Sequence, residues 1–173
     1  MSVKFSKNSK ISMTEKINPQ INVRLGRKED LKEICEIERK SFPTSWPRSS
    51  FEHLLLQNSN IFLVASVGGR VVGYAIATVE RSFSLSNIFN KKGHLLKIAV
   101  EEEMRRQGVG TSLLRSLEEK YRERDVEKIE LEARIRNDEA RKFYKKNEFE
   151  EKELIKNYYP DGANAVLMVK KID

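Results

Sequence analysis

The chain has a single cysteine, Cys35, among 173 residues. No internal disulfide can form, so packing must hold the fold, and a reducing, cytoplasmic setting is expected. There are only two histidines, His53 and His94, and they lie far from each other and from Cys35. No zinc-type ligand spacing results, and no metal is expected. No apolar run approaches the roughly 20 residues that cross a bilayer, so a membrane is not expected as a partner. The first residues are polar and lysine-rich, without the apolar block of a secretory signal. Of the four prolines, Pro43 and Pro47 fall in one short stretch. No internal repeat is visible.

What is present is charge. The net charge is +7; residues 1–20 hold four Lys and one Glu, so they carry +3 and the remainder +4. These first residues lack apolar periodicity and read as a flexible basic N-terminal extension. Residues 21–173 suit a single domain with a real core. The positive excess could serve a nucleic acid or a phosphorylated cofactor, or be an ordinary soluble surface. No direct nucleic-acid motif accompanies it.

Periodicity orders the rest. Residues 21–25 alternate as a strand, and residues 30–41 carry Leu31, Ile34, Cys35 and Glu38 at helical spacing. Phe42-Pro43-Thr44-Ser45-Trp46-Pro47 must break that helix. A second helix follows at 48–57. Residues 61–67 and 70–79 are β-rich runs joined by Gly68-Gly69, a hairpin signal. Residues 80–92 read as a polar loop, and 94–100 as an apolar strand. A long helix covers 108–124, with Val109, Leu113, Leu114, Leu117 and Tyr121 on one face. Then come a strand at 129–133, a helix at 139–146, and strands at 149–154 and 165–170. The order β-α-α-β-β-β-α-β-α-β-β predicts a mixed α/β sheet.

The most specific signal is the strand His94-Leu95-Leu96-Lys97-Ile98-Ala99-Val100, then four residues, then Arg105-Arg106-Gln107-Gly108-Val109-Gly110-Thr111 opening a helix. Glycines let backbone N–H groups approach a ligand, and the helix points its positive end at the same spot. Arg105 and Arg106 add charge, which makes an anion site suited to a pyrophosphate. A dinucleotide fingerprint would need a third glycine where Leu113 stands. A nucleoside-triphosphate loop would need a lysine between Gly110 and Thr111.

Arg-x-x-Gly-x-Gly after an Ile-Ala-Val strand resembles the acetyl-CoA motif of the GNAT superfamily. Downstream, Asn137-Asp138-Glu139-Ala140-Arg141-Lys142-Phe143-Tyr144 resembles that family's Asn-x-x-Ala-x-x-Phe-Tyr helix. The likeness covers about residues 21–170. It implies a GNAT fold, with a mixed, mostly antiparallel sheet of about seven strands flanked by four helices. Within the superfamily the chain looks most like the protein N-terminal acetyltransferases. That narrower likeness rests on Leu131-Glu132-Ala133-Arg134, on Asn157-Tyr158-Tyr159-Pro160, and on the Phe42–Pro47 loop. It departs from the pattern at Glu148, where a glycine is usual before the aromatic Phe149. Asn147 is expected to take the left-handed conformation instead. It also lacks the glutamate that some relatives carry near Thr44, and the usual acidic residue near Asn164.

The resemblance implies transfer of acetyl from acetyl-CoA to the α-amino group of protein N-termini. Ribosomes or nascent chains are the further partners it leaves open. Internal lysines, polyamines or other small amines are alternative acceptors, and a non-catalytic CoA-binding sensor or assembly subunit is the other alternative. The likeness assigns a general base to Glu132, which alternation places on one strand face with Glu130 and Arg134. It assigns an acid to Tyr144, against the alternative of a packed aromatic. His94 is either a second base or structural. Ile98, Ala99 and Val100 would bond the pantetheine by their backbone. Arg105, Arg106, Gln107, Gly108, Val109, Gly110 and Thr111 would hold the pyrophosphate, Asn137 the pantetheine arm, and Lys145 or Lys146 the ribose phosphate. Phe42, Pro43, Tyr158 and Tyr159, with Trp46, would wall a peptide groove or else be core aromatics. Cys35 is expected to be a buried, inert thiol.

Overall fold

Asn60–Val67 is apolar at nearly every position, which suits a strand covered on both faces. The computed structural model describes residues 20–84 and 87–172. Nearly all of the expected extension, residues 1–20, lies outside them. Strand β1 (Asn22–Leu25) is followed by a 3-10 turn and the helices α1 (Leu31–Ser41) and α2 (Arg48–Leu56). Next come β2 (Asn60–Val67), β3 (Arg70–Ser84) and β4 (Asn87–Val100), then α3 (Val109–Arg122), β5 (Val126–Arg134), α4 (Asp138–Lys146), β6 (Glu150–Ile155) and β7 (Ala165–Lys171). They form one sheet in the order β1-β2-β3-β4-β5-β7-β6. Every pairing is antiparallel except β4 with β5. The expected mixed, mostly antiparallel sheet of seven strands with four helices is what forms.

The sheet separates two cores. Ile61, Leu63 and Ala65 of β2 point to the face covered by α3 through Leu113, Leu114, Leu117 and Tyr121. Phe62 and Val64 point to the opposite face, where Leu31, Ile34 and Ile37 of α1 and Phe51 of α2 pack. Gly93 is required by the first core: a β-carbon there would lie 2.3 Å from the Tyr121 ring. That ring crosses the strand and its hydroxyl donates to the Thr78 carbonyl at 3.0 Å.

Two expectations need correction. Residues 80–84 and 87–92 are not loop but the outer parts of the paired strands β3 and β4, with Glu80 opposite Lys92 and Arg81 opposite Lys91. Polar residues can occupy a strand when opposite charges face each other, as in the Lys92–Glu80 pair at 3.3 Å. The left-handed residue after α4 is Glu148, with φ +70°, whereas Asn147 keeps φ −98°. Asn147 instead turns its side-chain amide to the Phe143 carbonyl at 2.8 Å. Glu148 also pairs with Lys170 at 3.0 Å, but its side chain is largely exposed and the pair contributes little. Glu148→Gly is therefore expected to raise the melting temperature by about 2–4 °C, as relief of about 1 kcal/mol would do in a domain of this size. Calorimetry on the variant checks this.

Candidate active site

The site arises where the sheet fails to close. β4 and β5 pair only over the rungs from Lys91↔Val126 to His94↔Glu130. Beyond His94, β4 runs on to Val100 bonded only to β3, and β5 runs on to Arg134 bonded only to β7. A bulge assists the divergence. Ile76 faces Lys97 and Ala77 faces Leu95, so Leu96 is the extra residue. The two strands open as a V with His94 at its apex.

On one side of the V lies a groove of about 500 Å³. Of the eleven strand, turn and Asn137 positions expected to hold the cofactor, nine line it, namely Ile98, Ala99, Val100, Arg105, Arg106, Gly108, Gly110, Thr111 and Asn137, and so does the expected acid Tyr144. The other two turn their side chains elsewhere. Val109 is buried in the core, and Gln107 donates to the Glu103 carbonyl at 2.7 Å. Gly108 caps α3 with φ +90°, a conformation that β-branched residues scarcely reach. Gly110 is tightly placed as well, since a β-carbon there would lie 3.0 Å from the Phe143 ring, which would have to shift. The first N–H groups of α3 have no partner within the helix and face an anion's natural position. Lys142 and Lys146 also line the groove, while Lys145 turns to Glu151 at 3.2 Å. Lys146, of the two lysines considered, thus has the better placement. Asn137 caps α4 by accepting from the Ala140 N–H at 3.0 Å. A groove with an unpaired strand edge and four cations, one of which, Arg105, donates to the Val100 carbonyl of that edge at 3.1 Å, suits an extended ligand with a phosphorylated head.

At the apex, His94 Nε2 donates to Glu132 Oε2 at 2.7 Å. Its Nδ1 lies 3.4 Å from Glu80 Oε1 on β3. Each partner stabilises the charge of the other. The Glu132 carboxyl is held below its ordinary range first by His94, against the opposing effect of burial, with Tyr158 adding a hydrogen bond. His94 is held above its ordinary range, again first by Glu132 and then by Glu80, against burial. Tyr158 feels the reverse: burial and the Glu132 charge push its hydroxyl up to about 12.

Two aromatic loops flank this pair. The β6–β7 loop is fixed to β5 by the Tyr159 hydroxyl, which donates to the Glu132 carbonyl at 3.3 Å. The Arg134 guanidinium lies 4.0 Å above the Tyr159 ring and bonds Asp161 at 2.7 Å. Tyr158 stands edge-on to Tyr159 at 5.0 Å and is 44% exposed, so it is not a core aromatic. The α1–α2 loop brings Phe42 to the groove, while the adjoining Pro43 is exposed. Trp46 packs on Phe51 at 5.9 Å and is half-buried. Tyr144 lines the groove, nearly buried against Phe143 and Phe149, and burial raises its hydroxyl well above the ordinary tyrosine range. A second hollow of about 470 Å³ lies by Arg136 and Asp161, and holds none of the expected acid–base groups. Cys35 is half-buried rather than fully buried, and burial raises its thiol. Sequence reasoning missed Glu80 and Lys97. A signal for Lys97 existed: Glu38 sits on the apolar stripe of α1, and a buried carboxylate needs a cation.

The profile of the Acetyltransferase (GNAT) family matches residues 31–149. The chain belongs to the GNAT acetyltransferase family. It is an N-acetyltransferase similar to an N-alpha-acetyltransferase of Sulfolobus acidocaldarius, with 41% identity over 88% of this chain and 92% of that protein. Among solved structures it resembles Ard1 from Thermoplasma volcanium, at 29% identity and TM-score 0.77, covering 88% of this chain and 98% of that one. It also resembles the ribosomal-protein-S18-alanine N-acetyltransferase from Escherichia coli, at 26% identity and TM-score 0.75, over 88% and 94% of the two chains. Among the described residues, no helix is long and apolar enough to cross a membrane, and no group of three or more His, Cys, Asp or Glu side chains could hold a metal ion.

Proposed function

We propose that this acetyltransferase moves the acetyl group of acetyl-CoA to the α-amino group of protein N-termini, with residues 21–173 acting as one domain in the cytoplasm. The observation that carries the reading is the His94–Glu132 pair at the apex of the V, flanked by the cofactor groove, which Phe42 of the α1–α2 loop also lines, and by the loop of Tyr158 and Tyr159. Relatives named for α-amine acetylation support it.

The fit of acetyl-CoA rests on the groove. The free edge of Ile98–Val100 would bond the pantetheine, the α3 N-terminus with Arg105 and Arg106 would hold the pyrophosphate, and Lys142 and Lys146 would meet the remaining phosphate. When bound, it supplies an activated thioester. The chain's residues then have three tasks. Glu132, backed by His94, takes a proton from the amine as its nitrogen bonds the acetyl carbon. The Phe42 and Tyr158 walls exclude water from the approaching chain end. As the carbon–sulfur bond breaks, Tyr144 donates a hydrogen bond to the sulfur. Because burial has raised the Tyr144 hydroxyl above an ordinary thiol, this bond stabilises the leaving charge without complete transfer of the proton.

An α-amine, with a pKa near 8, is the easier acceptor beside a carboxylate than a lysine near 10.4. The test is a panel of peptides with free or blocked N-termini, with or without lysine, incubated with acetyl-CoA. Mass spectrometry should place acetyl on free N-termini; label on lysine side chains alone would refute the reading. The donor site has its own test. Gly108→Val is expected to weaken acetyl-CoA binding at least tenfold in calorimetric titration, with the far-UV circular dichroism spectrum kept, because valine resists φ +90° at the turn.

A further inference from the structure

One buried charged group has no part in that chemistry. Glu38, on α1, is fully buried. An isolated carboxylate is strongly disfavoured there, yet three donors from three segments satisfy this one. They are the Tyr74 hydroxyl of β3, the Lys97 ammonium of β4, and the Trp46 backbone N–H at 2.8 Å. Lys97 in turn lies over the Phe42 ring at 4.3 Å and the Trp46 ring at 4.1 Å, with only 10% of its side chain exposed. A carboxylate and two aromatic faces thus grip one ammonium.

Both rings belong to the α1–α2 loop, and Phe42 lines the groove beside Ile98 and Ala99. This loop cannot brace itself through its own backbone. Pro43 and Pro47 have no N–H to donate. The Ser45 hydroxyl reaches the Phe42 carbonyl only at 3.5 Å. Stability alone does not account for the cluster, since an apolar group of the same shape commonly holds a core as well as a buried ion pair does. A charge gripped from three sides fixes one arrangement of the loop over β4.

We propose that Lys97 is a positioning residue of the acceptor site: held by Glu38, Phe42 and Trp46, it sets the shape of the loop that receives the amine-bearing chain end. This rests on the reading that an amine enters between the two aromatic loops. Lys97, which does not itself line the acetyl-CoA groove, then governs the acceptor KM more than donor binding or the chemical step.

Trp46 is the only tryptophan in the chain, so its fluorescence reports the loop without any acceptor. Lys97→Met keeps length and removes charge. Its Trp46 emission should shift to the red, with acrylamide quenching raised about twofold or more. The acceptor-peptide KM should rise about tenfold, kcat should stay within about threefold, and acetyl-CoA affinity should stay within about twofold. Lys97→Arg, which keeps the charge, should recover most of the KM. Glu38→Gln should resemble Lys97→Met, and the double variant should be no worse than either, since the pair acts as a unit. Unchanged emission in folded Lys97→Met, or a loss in kcat at constant KM, overturns the proposal. If Lys97→Met does not fold, Trp46→Leu removes one face of the grip. An unchanged acceptor KM there overturns the proposal equally. Should the wild type acetylate only lysine side chains, the N-terminal reading falls, while Trp46 emission and the KM for the lysine acceptor still decide the role of Lys97.

Discussion

Glu132→Gln is expected to lower kcat/KM for a peptide with a free α-amine by about 10²–10⁴-fold near pH 7, the usual range for loss of a general base. Acetyl-CoA affinity should not change, because Glu132 is not among the groove residues. The pH profile carries the sharper information. His94 is raised by Glu132 first and Glu80 second, so it stays protonated to a pH above 6.5. Below that point the pair already holds a proton and has little capacity for another. Wild-type kcat/KM should therefore rise with pH through an inflection above 6.5, which belongs to the pair and not to either residue. In Glu132→Gln the inflection should move down, because burial is then opposed by Glu80 alone. The defect should narrow above pH 8, where solution supplies the neutral α-amine, and for a lysine acceptor only near pH 10. His94→Ala in the Glu132→Gln background separates the two roles open to His94. A further loss marks a second proton route, and no further loss makes it structural. Wild-type rates for Glu132→Gln at every pH would remove Glu132 from the chemistry.

Tyr144→Phe should slow turnover by about 10²-fold, at the lower end of the acid–base range, because the hydroxyl gives a hydrogen bond and not a whole proton. The ring, packed between Phe143 and Phe149, is kept. Cofactor binding and melting temperature should then hold, and kcat and kcat/KM should fall together, as expected for an interaction made mainly in the transition state. Acceptors that are more basic should not rescue the variant, which distinguishes it from loss of the base. Single-turnover kinetics with saturating acetyl-CoA measures the effect; a rate within twofold of wild type would leave Tyr144 as packing.

Much of this was legible before any coordinates. Period-3.6 patterns mark α1 and α3 because they report which face is buried, and the near-continuous apolar run marks β2 as covered on both faces. The turn from Arg105 to Thr111 was legible because glycine spacing and a following helix are local features. Four things were not. The outer parts of β3 and β4 are mostly polar, and the Lys92–Glu80 pair across them joins positions that the sequence alone does not mark as partners. Glu148 takes the left-handed position because the chain must turn one residue later than the asparagine suggests, and Asn147 is spent on the Phe143 carbonyl. The partnership of Glu38 with Lys97 spans 59 positions. An unusual charge on an apolar stripe shows that a partner exists but not which one. The Glu132–His94 pair spans 38 positions; the resemblance implied separate roles for the two residues, and their direct bond emerged only with the fold.

The V between β4 and β5 separates two kinds of freedom. His94 stands on the last paired rung between β4 and β5, and Glu132, two residues beyond it, is held by β7 opposite Leu167, so both are carried by sheet backbone. The acceptor walls are loops, tied down by side chains at a few points. Substitutions in the walls can therefore alter which chain end is admitted while the acid–base pair stays in register. A lineage of such proteins could diversify its clientele by remodelling about a dozen loop positions, and the sheet would retain the reaction throughout.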